Sequence, residues 1–223
     1  MTFDILTLFP EVFEDYFNSS IIGRAKKRGL IKIRIHNLRS FVSKNRPDAR
    51  PYGGGPGMVI RIEPVIKALD KILKNKSDVA RKKTKIIIFE ASGKQFSEKI
   101  NQDITKKYNH IILIAGHYEG IDERVKNVIK ANKYNLGEIS IGPYVLTGGE
   151  IPAMVVVDAI SRKLKGVLGK TESLEEKRLG VGVPSYSRPE VFIYKKKKYL
   201  VPKVLLSGNH KDIQKWRLER KNK

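Results

Sequence analysis

Short apolar runs separated by amphipathic stretches recur through most of this chain, and that alternation restricts the fold more than any other feature. Residues 2–8 (TFDILTL) alternate apolar and polar side chains as a strand does, and residues 30–36 (LIKIRIH) alternate strictly. Residues 85–90 (KIIIFE) and 110–115 (HIILIA) are apolar runs of strand length, and residues 58–62 and 138–141 are shorter candidates. Between them, residues 11–17, 20–27, 64–75, 96–108 and 122–132 carry apolar side chains at helical spacing. Gly29 is placed to end the second of these helices and Pro64 to open the third. Residues 37–56 are rich in Arg, Pro, Asp and Gly and read as loop. Strands alternating with helices predict an α/β domain with a mainly parallel sheet. Such sheets bind ligands beyond the carboxyl ends of their strands, so the loops after residues 85–90, 110–115 and 138–141 are candidates to share one pocket.

The last of those loops is the most unusual segment. Residues 137–162 (GEISIGPYVLTGGEIPAMVVVDAISR) begin with Gly142, Gly148 and Gly149, with Pro143 and Pro152 among them, and continue as an apolar helix. Glycine lets backbone approach a ligand closely, and a helix N-terminus presents free N–H groups, so this loop is a plausible small-molecule seat.

The formal net charge is +22, which points to a polyanionic partner, nucleic acid before a merely solvated lysine surface. With no cysteine, disulfides, thiolate metal sites and cysteine nucleophiles are excluded. The four histidines (His36, His110, His117, His210) are too scattered for a zinc motif. The opening MTFDILTLFP carries an acid almost at once, unlike a signal peptide, and no apolar run is long enough to span a membrane. A cytoplasmic location is expected.

The alternation stops near Gly166. The expected organisation is an α/β domain over residues 1–165, a linker over 166–185 rich in Gly, Ser and charge, and a small basic domain over 186–223. In the last, a hairpin is expected around the lysine run 195–198, and residues 211–220 form a basic helix carrying the only tryptophan, Trp216.

Upstream, residues 52–58 (YGGGPGM) resemble a phosphate loop but lack the GK[ST] ending, and they are not followed as a dinucleotide fingerprint requires. They are either a tight irregular turn or a backbone platform for RNA or a flipped base, helped by Arg46, Asp48 and Arg50. Asp122 and Glu123 suit a first helical turn. Glu119, in a strand-end loop, can act in catalysis or orient a neighbour; Arg162 can partner the helix dipole or stabilise charge on a substrate. Trp216 is a small-domain core anchor or a stacking surface for bases.

Taken together and in order, RPYGGGPGM, GHYEGIDERV, SIGPYVLTGGE, GVLG, YSRPEV and LLSGNHKDIQKWR resemble the bacterial tRNA (guanine-N1)-methyltransferase family, TrmD, of the SPOUT class. The resemblance covers nearly the whole chain. It implies a deep trefoil knot within the α/β domain, a small, mostly helical C-terminal domain that binds tRNA, and a homodimer whose active sites are each built from both subunits. The implied cofactor is S-adenosylmethionine, and the implied substrate is the guanine at tRNA position 37, 3′ of the anticodon. Carried onto this chain, the cofactor residues are Gly116, Ile141, Gly142, Pro143, Tyr144, Val145, Leu146, Gly148 and Gly149, faced by Ala91 and Ser92. Ala91-Ser92 stands where relatives usually have Ser-Pro, and Pro143 where Asp is common; backbone-mediated binding tolerates both changes. Glu119 matches the pocket glutamate and Arg162 the arginine near the guanine oxygen. Substrate contacts are expected at Asp48, Gly53, Gly54, Gly55, Arg188 and Trp216. A dependence on Mg²⁺ is also implied, although no metal-ligand pattern is visible.

One departure bears on chemistry. The usual catalytic Asp falls here on Lys177, a poor base unless strongly desolvated. Glu176 is adjacent and is the expected general base, against the plainer possibility that Glu172, Glu175 and Glu176 form a solvated helical turn. The alternatives are a tRNA-binding homologue that has lost catalysis, and a SPOUT methyltransferase with another RNA target.

Overall fold

The computed structural model describes residues 1–42, 46–168 and 183–220. The chain divides into two units, Met1–Val167 and Leu168–Lys223.

The first unit is built on a five-stranded, all-parallel sheet in the order β2-β1-β6-β5-β7, with β1 Thr2–Thr7, β2 Lys32–Asn37, β5 Thr84–Gln95, β6 His110–Ile114 and β7 Asn135–Ser140. Helices cover both faces, as parallel sheets require. Alternate residues of β6 serve opposite cores. Ile111 and Leu113 join Phe3, Ile5 and Ile87 on one side, against Phe13, Phe17, Ile22 and the apolar residues of α7 (Glu150–Ser161). Ile112 and Ile114 join Leu6, Ile86 and Ile88 on the other, against Val65 and Leu69 of α3 (Ile62–Leu73) and Val125 and Ile129 of α6 (Arg124–Ala131). Three helices complete the layers: α1 (Glu14–Asn18) and α2 (Ser20–Lys27) lie beside the first core, and α5 (Glu98–Lys107) packs on α7. Gly29, at φ 71°, turns the chain out of α2 as its position suggested.

Four local readings change. The polar positions of β1 are not a wet face: Asp4 and Thr7 are fully buried because β1 lies between two strands beneath helices. Asp4 survives there because Arg34, His36 and His110 surround it. Residues 37–56 are not all loop, since Asn37 accepts a hydrogen bond from the Arg39 N–H and starts a 3-10 turn, Leu38–Phe41, whose Leu38 is buried. Asp48–Ala49 (β3) then pairs antiparallel with Val59–Ile60 (β4). A short helix, α4 (Asp78–Lys82), capped by the Ser77 hydroxyl, precedes β5. Finally, β5 does not stop at Glu90. Phe89 and Lys94 both register with Ile139 of β7, so residues 90–93 bulge out of a strand that runs on to Gln95.

In the second unit, Val191–Tyr194 (β8) and Lys197–Leu200 (β9) form an antiparallel hairpin. Lys203–Leu206 (α8) and His210–Glu219 (α9) follow, α9 capped by the Asn209 side chain. The hairpin turn takes only Lys195 and Lys196, so Lys197 and Lys198 of the lysine run belong to the second strand.

Candidate functional site

The carboxyl-end loop of β6, the bulge of β5 and the loop leaving β7 close around one cleft of about 480 Å³. Of the eleven expected cofactor residues, Ala91, Ser92, Gly116, Ile141, Gly142, Tyr144, Val145, Leu146, Gly148 and Gly149 line it, together with Glu119. Pro143 does not line it and is exposed.

Glycine is required where the loops meet. The Gly149 N–H donates to the Gly116 carbonyl at 2.7 Å, and a Cβ on Gly149 would lie 2.7 Å from Ala115 Cα. No side chain fits that gap without moving the end of β6. The next residue, Glu150, is buried and anchors the junction: its carboxylate accepts from the Thr7 hydroxyl at 2.8 Å and lies 3.7 Å from His117 Nδ1. The loop is therefore tied to β1 and to the β6 loop at the point where α7 starts.

The glycine-rich segment 52–58 is sewn onto the same β6 loop. Glu119 N–H donates to the Met58 carbonyl, Ile60 N–H to Gly120, and Asp122 N–H to Ile60. Glu119 lies over Gly57, where an added Cβ would come 2.5 Å from its Oε1; Gly57 also has φ +84°. Gly53, Gly54 and Gly55 all have positive φ and face open space beside the fully exposed Tyr52, as an accessible platform would. Asp48 sits opposite Ile60 in the β3–β4 ribbon.

A charged cluster on the cleft wall went unread in the sequence. Lys126 Nζ lies 2.7 Å from Glu90, 2.9 Å from Glu123 and 3.2 Å from Glu138. Burial would push the lysine down, but the three carboxylates outweigh it and hold its pKa above the ordinary value. Only Glu123, three residues before Lys126, could have signalled this pairing; Glu90 and Glu138 arrive from other strands.

Arg162 is not among the residues lining the cleft. It caps the C-terminal end of α7, where its N–H donates to the Asp158 carbonyl. Glu150 stands at the opposite end, about 18 Å away at 1.5 Å per residue. In the second unit, Arg188 lines a separate cleft of about 910 Å³ with Tyr186, Leu205 and Arg217. Trp216 is half-buried, its ring 6.2 Å from that of Tyr186 and 4.9 Å beneath the Arg220 guanidinium, which joins the anchor role to a partly open face. Glu176 and Lys177 lie outside the described residues. Among the described residues no group of three or more His, Asp or Glu is arranged to hold a metal ion, and no helix is long and apolar enough to cross a membrane.

A glycine-walled cleft at the carboxyl ends of parallel strands lies where open α/β sheets bind their ligands. Over residues 1–223 the chain matches the family described as tRNA (Guanine-1)-methyltransferase TrmD, and it belongs to that family. It is 48% identical over 219 residues to a tRNA (guanine-N(1)-)-methyltransferase of Dictyoglomus turgidum, covering 96% of this chain and 82% of the relative. It is 46% identical to the protein of that name from Carboxydothermus hydrogenoformans, covering 97% and 81%. A third, from Staphylococcus epidermidis, is 42% identical, covering 99% and 86%.

Proposed function

We propose that this chain is an S-adenosylmethionine-dependent enzyme that methylates N1 of the guanine at tRNA position 37, in the cytoplasm. The observation that carries the reading is the cleft itself, whose walls include segments on which the resemblance to the family rests. Its volume suits a cofactor of this size. Phe89, Ile139, Leu146 and Pro152 offer apolar surface to an adenine ring, and the glycines leave backbone N–H and C=O groups accessible. Glu119 brings negative charge to a cationic ligand, and Glu90 and Glu123 together exceed the single charge of Lys126 between them. When bound, S-adenosylmethionine supplies an electrophilic methyl group on a sulfonium centre.

The remaining chemistry belongs to side chains. Guanine N1 carries a proton at neutral pH, so a base must take it as the new N1–carbon bond forms. Glu176 is that base in this reading. Arg162 faces O6 and holds the negative charge that develops there. Glu119, fixed over Gly57, orients the target base, which is flipped from its stack and bordered by Asp48 and Gly53, Gly54 and Gly55. No step is routed through Mg²⁺.

The distance between Arg162 and the cleft supports a homodimer in which a second chain brings its Arg162 to each site. Exposed Ile151 and Val155 on α7, with Val12 and Tyr16 on the neighbouring turn and α1, offer an apolar face for that contact. Tyr16 donates to Asp158 of α7 at 2.8 Å, and burial together with that carboxylate pushes its phenol up to about 12. The return of residues 141–149 across the end of β6 supports the trefoil knot. A linker over 166–185 and a tRNA-binding domain over 186–223, with Arg188 and Trp216 on the RNA, complete the reading; the charge of +22 supports phosphate contacts.

Single-turnover assays test it. The unaltered chain is expected to methylate a tRNA transcript carrying guanine at position 37, and Glu176→Gln to slow that step about 100- to 10,000-fold. An unchanged rate in the variant would remove Glu176 as the base, and no transfer by the unaltered chain would remove the reading.

A further inference from the structure

The hairpin of β8 and β9 is exposed at every position, and its two faces differ. Directly opposed residues share a face, and successive residues alternate. Phe192 opposes Tyr199 and Tyr194 opposes Lys197, so one face carries three rings and a lysine. Val191 with Leu200 and Ile193 with Lys198 give the other face three aliphatic side chains and a lysine.

Phe192, Tyr194 and Tyr199 are 57%, 53% and 49% exposed, values that a protein core would not leave. Lys195 Nζ lies 5.5 Å from the Tyr194 centroid, and Lys197 Nζ 5.6 Å from that of Tyr199. Each ammonium is thus held beside a ring by cation–π attraction. Lys195 and Lys196 form the turn with φ of 46° and 63°, a left-handed conformation that glycine or asparagine adopts more easily. The turn nevertheless presents two cations at the hairpin tip, and four consecutive lysines run through it, Lys195 to Lys198.

Open π-faces interleaved with ammonium groups are the chemistry that holds unpaired nucleotides, rings stacking on bases and lysines meeting phosphates. We propose that this aromatic–lysine face is an RNA-gripping surface, and that its occupant is an unpaired stretch of the substrate tRNA. The assignment rests on the tRNA reading above and adds a contact element to it. Charge complementarity favours RNA over a second protein, because a hairpin with one lysine on this face, two at its tip and one on the opposite face repels other surfaces of a chain this basic.

The test measures affinity of the full-length protein for a tRNA transcript over a range of salt concentrations. Replacing Lys195, Lys196, Lys197 and Lys198 together with Gln is expected to weaken binding about tenfold or more. It should also make the slope of log K against log salt shallower by about 0.7–0.9 for each lysine that meets a phosphate. Replacing all four with Arg should keep both close to the unaltered values. Tyr199→Ala should weaken binding about tenfold with the slope unchanged. An unchanged circular dichroism spectrum and an unchanged thermal unfolding profile certify the fold of each variant. If the Gln variant binds tRNA with the original affinity and slope, the hairpin is not an RNA surface; a change only in its sedimentation mass overturns the proposal equally. If the unaltered protein itself binds no tRNA, it is the substrate reading that fails.

Discussion

Replacing Arg162 with Ala is expected to lower single-turnover methyl transfer about 100- to 1,000-fold, the usual cost of removing one group that stabilises developing negative charge. Affinity for S-adenosylmethionine should stay unchanged, because Arg162 does not line the cleft of its own chain. The same geometry gives a sharper test. Gly149→Val should block cofactor binding, since its Cβ alone would fall 2.7 Å from Ala115 Cα. In an equal mixture of the two inactive variants, half the dimers pair one of each, and one site in such a dimer has both a sound cleft and an arginine from the other chain. Activity should recover to about a quarter of the unaltered level. No recovery, with mixed dimers demonstrably formed, would place cleft and arginine on one chain and contradict the shared site.

Asp4→Asn is expected to cost about 3 kcal/mol of stability at neutral pH, the lower end for breaking a buried ion pair. The lower end applies because Arg34 is partly exposed and regains water, whereas His110 is buried and left with a poorer partner. Asp4 Oδ1 accepts from Arg34 Nε at 2.7 Å and lies 2.6 Å from His36 Nε2, while Oδ2 lies 2.5 Å from His110 Nε2. Burial alone would raise the carboxyl; the bonds from His110, His36 and Arg34 outweigh it and hold it well below the usual carboxylate range. A depressed value in the folded state stabilises fully above the unfolded pKa of about 4 and is lost as pH falls further. Urea unfolding should therefore show a gap between the unaltered chain and Asp4→Asn that is constant from about pH 5 upward and shrinks below about pH 4. A gap that grows in acid would contradict this account of the cluster.

How much of this was legible in the sequence depends on how local each signal is. The strict alternation of residues 30–36 marks a strand, and β2 is one, placed by the structure at the edge of the sheet. The apolar run 110–115 marks a strand, and β6 is one, buried at every position in the structure. The glycines at 142, 148 and 149 pointed to the loop that walls the cleft, because close backbone approach leaves its mark in the residue type itself. Asp4 could not be read, since a polar residue in an alternating strand looks solvent-facing until Arg34, His36 and His110 are brought around it. The bulge at residues 90–93 depends on register with Ile139, which no local pattern encodes. The contact of Glu119 with Gly57 joins segments far apart in the chain, as does the Lys126 cluster. Arg162 was legible as a residue type at a helix end, but its distance from the cleft emerges only once α7 is placed.

The most direct measurement is methyl transfer from labelled S-adenosylmethionine to two tRNA transcripts, one with guanine at position 37 and one with adenine there. Label entering the first transcript alone, and recovered as 1-methylguanosine, is the expected result. Label in neither, with tRNA still bound, would contradict the proposed activity and leave this chain as a binder of tRNA or a methyltransferase of some other RNA.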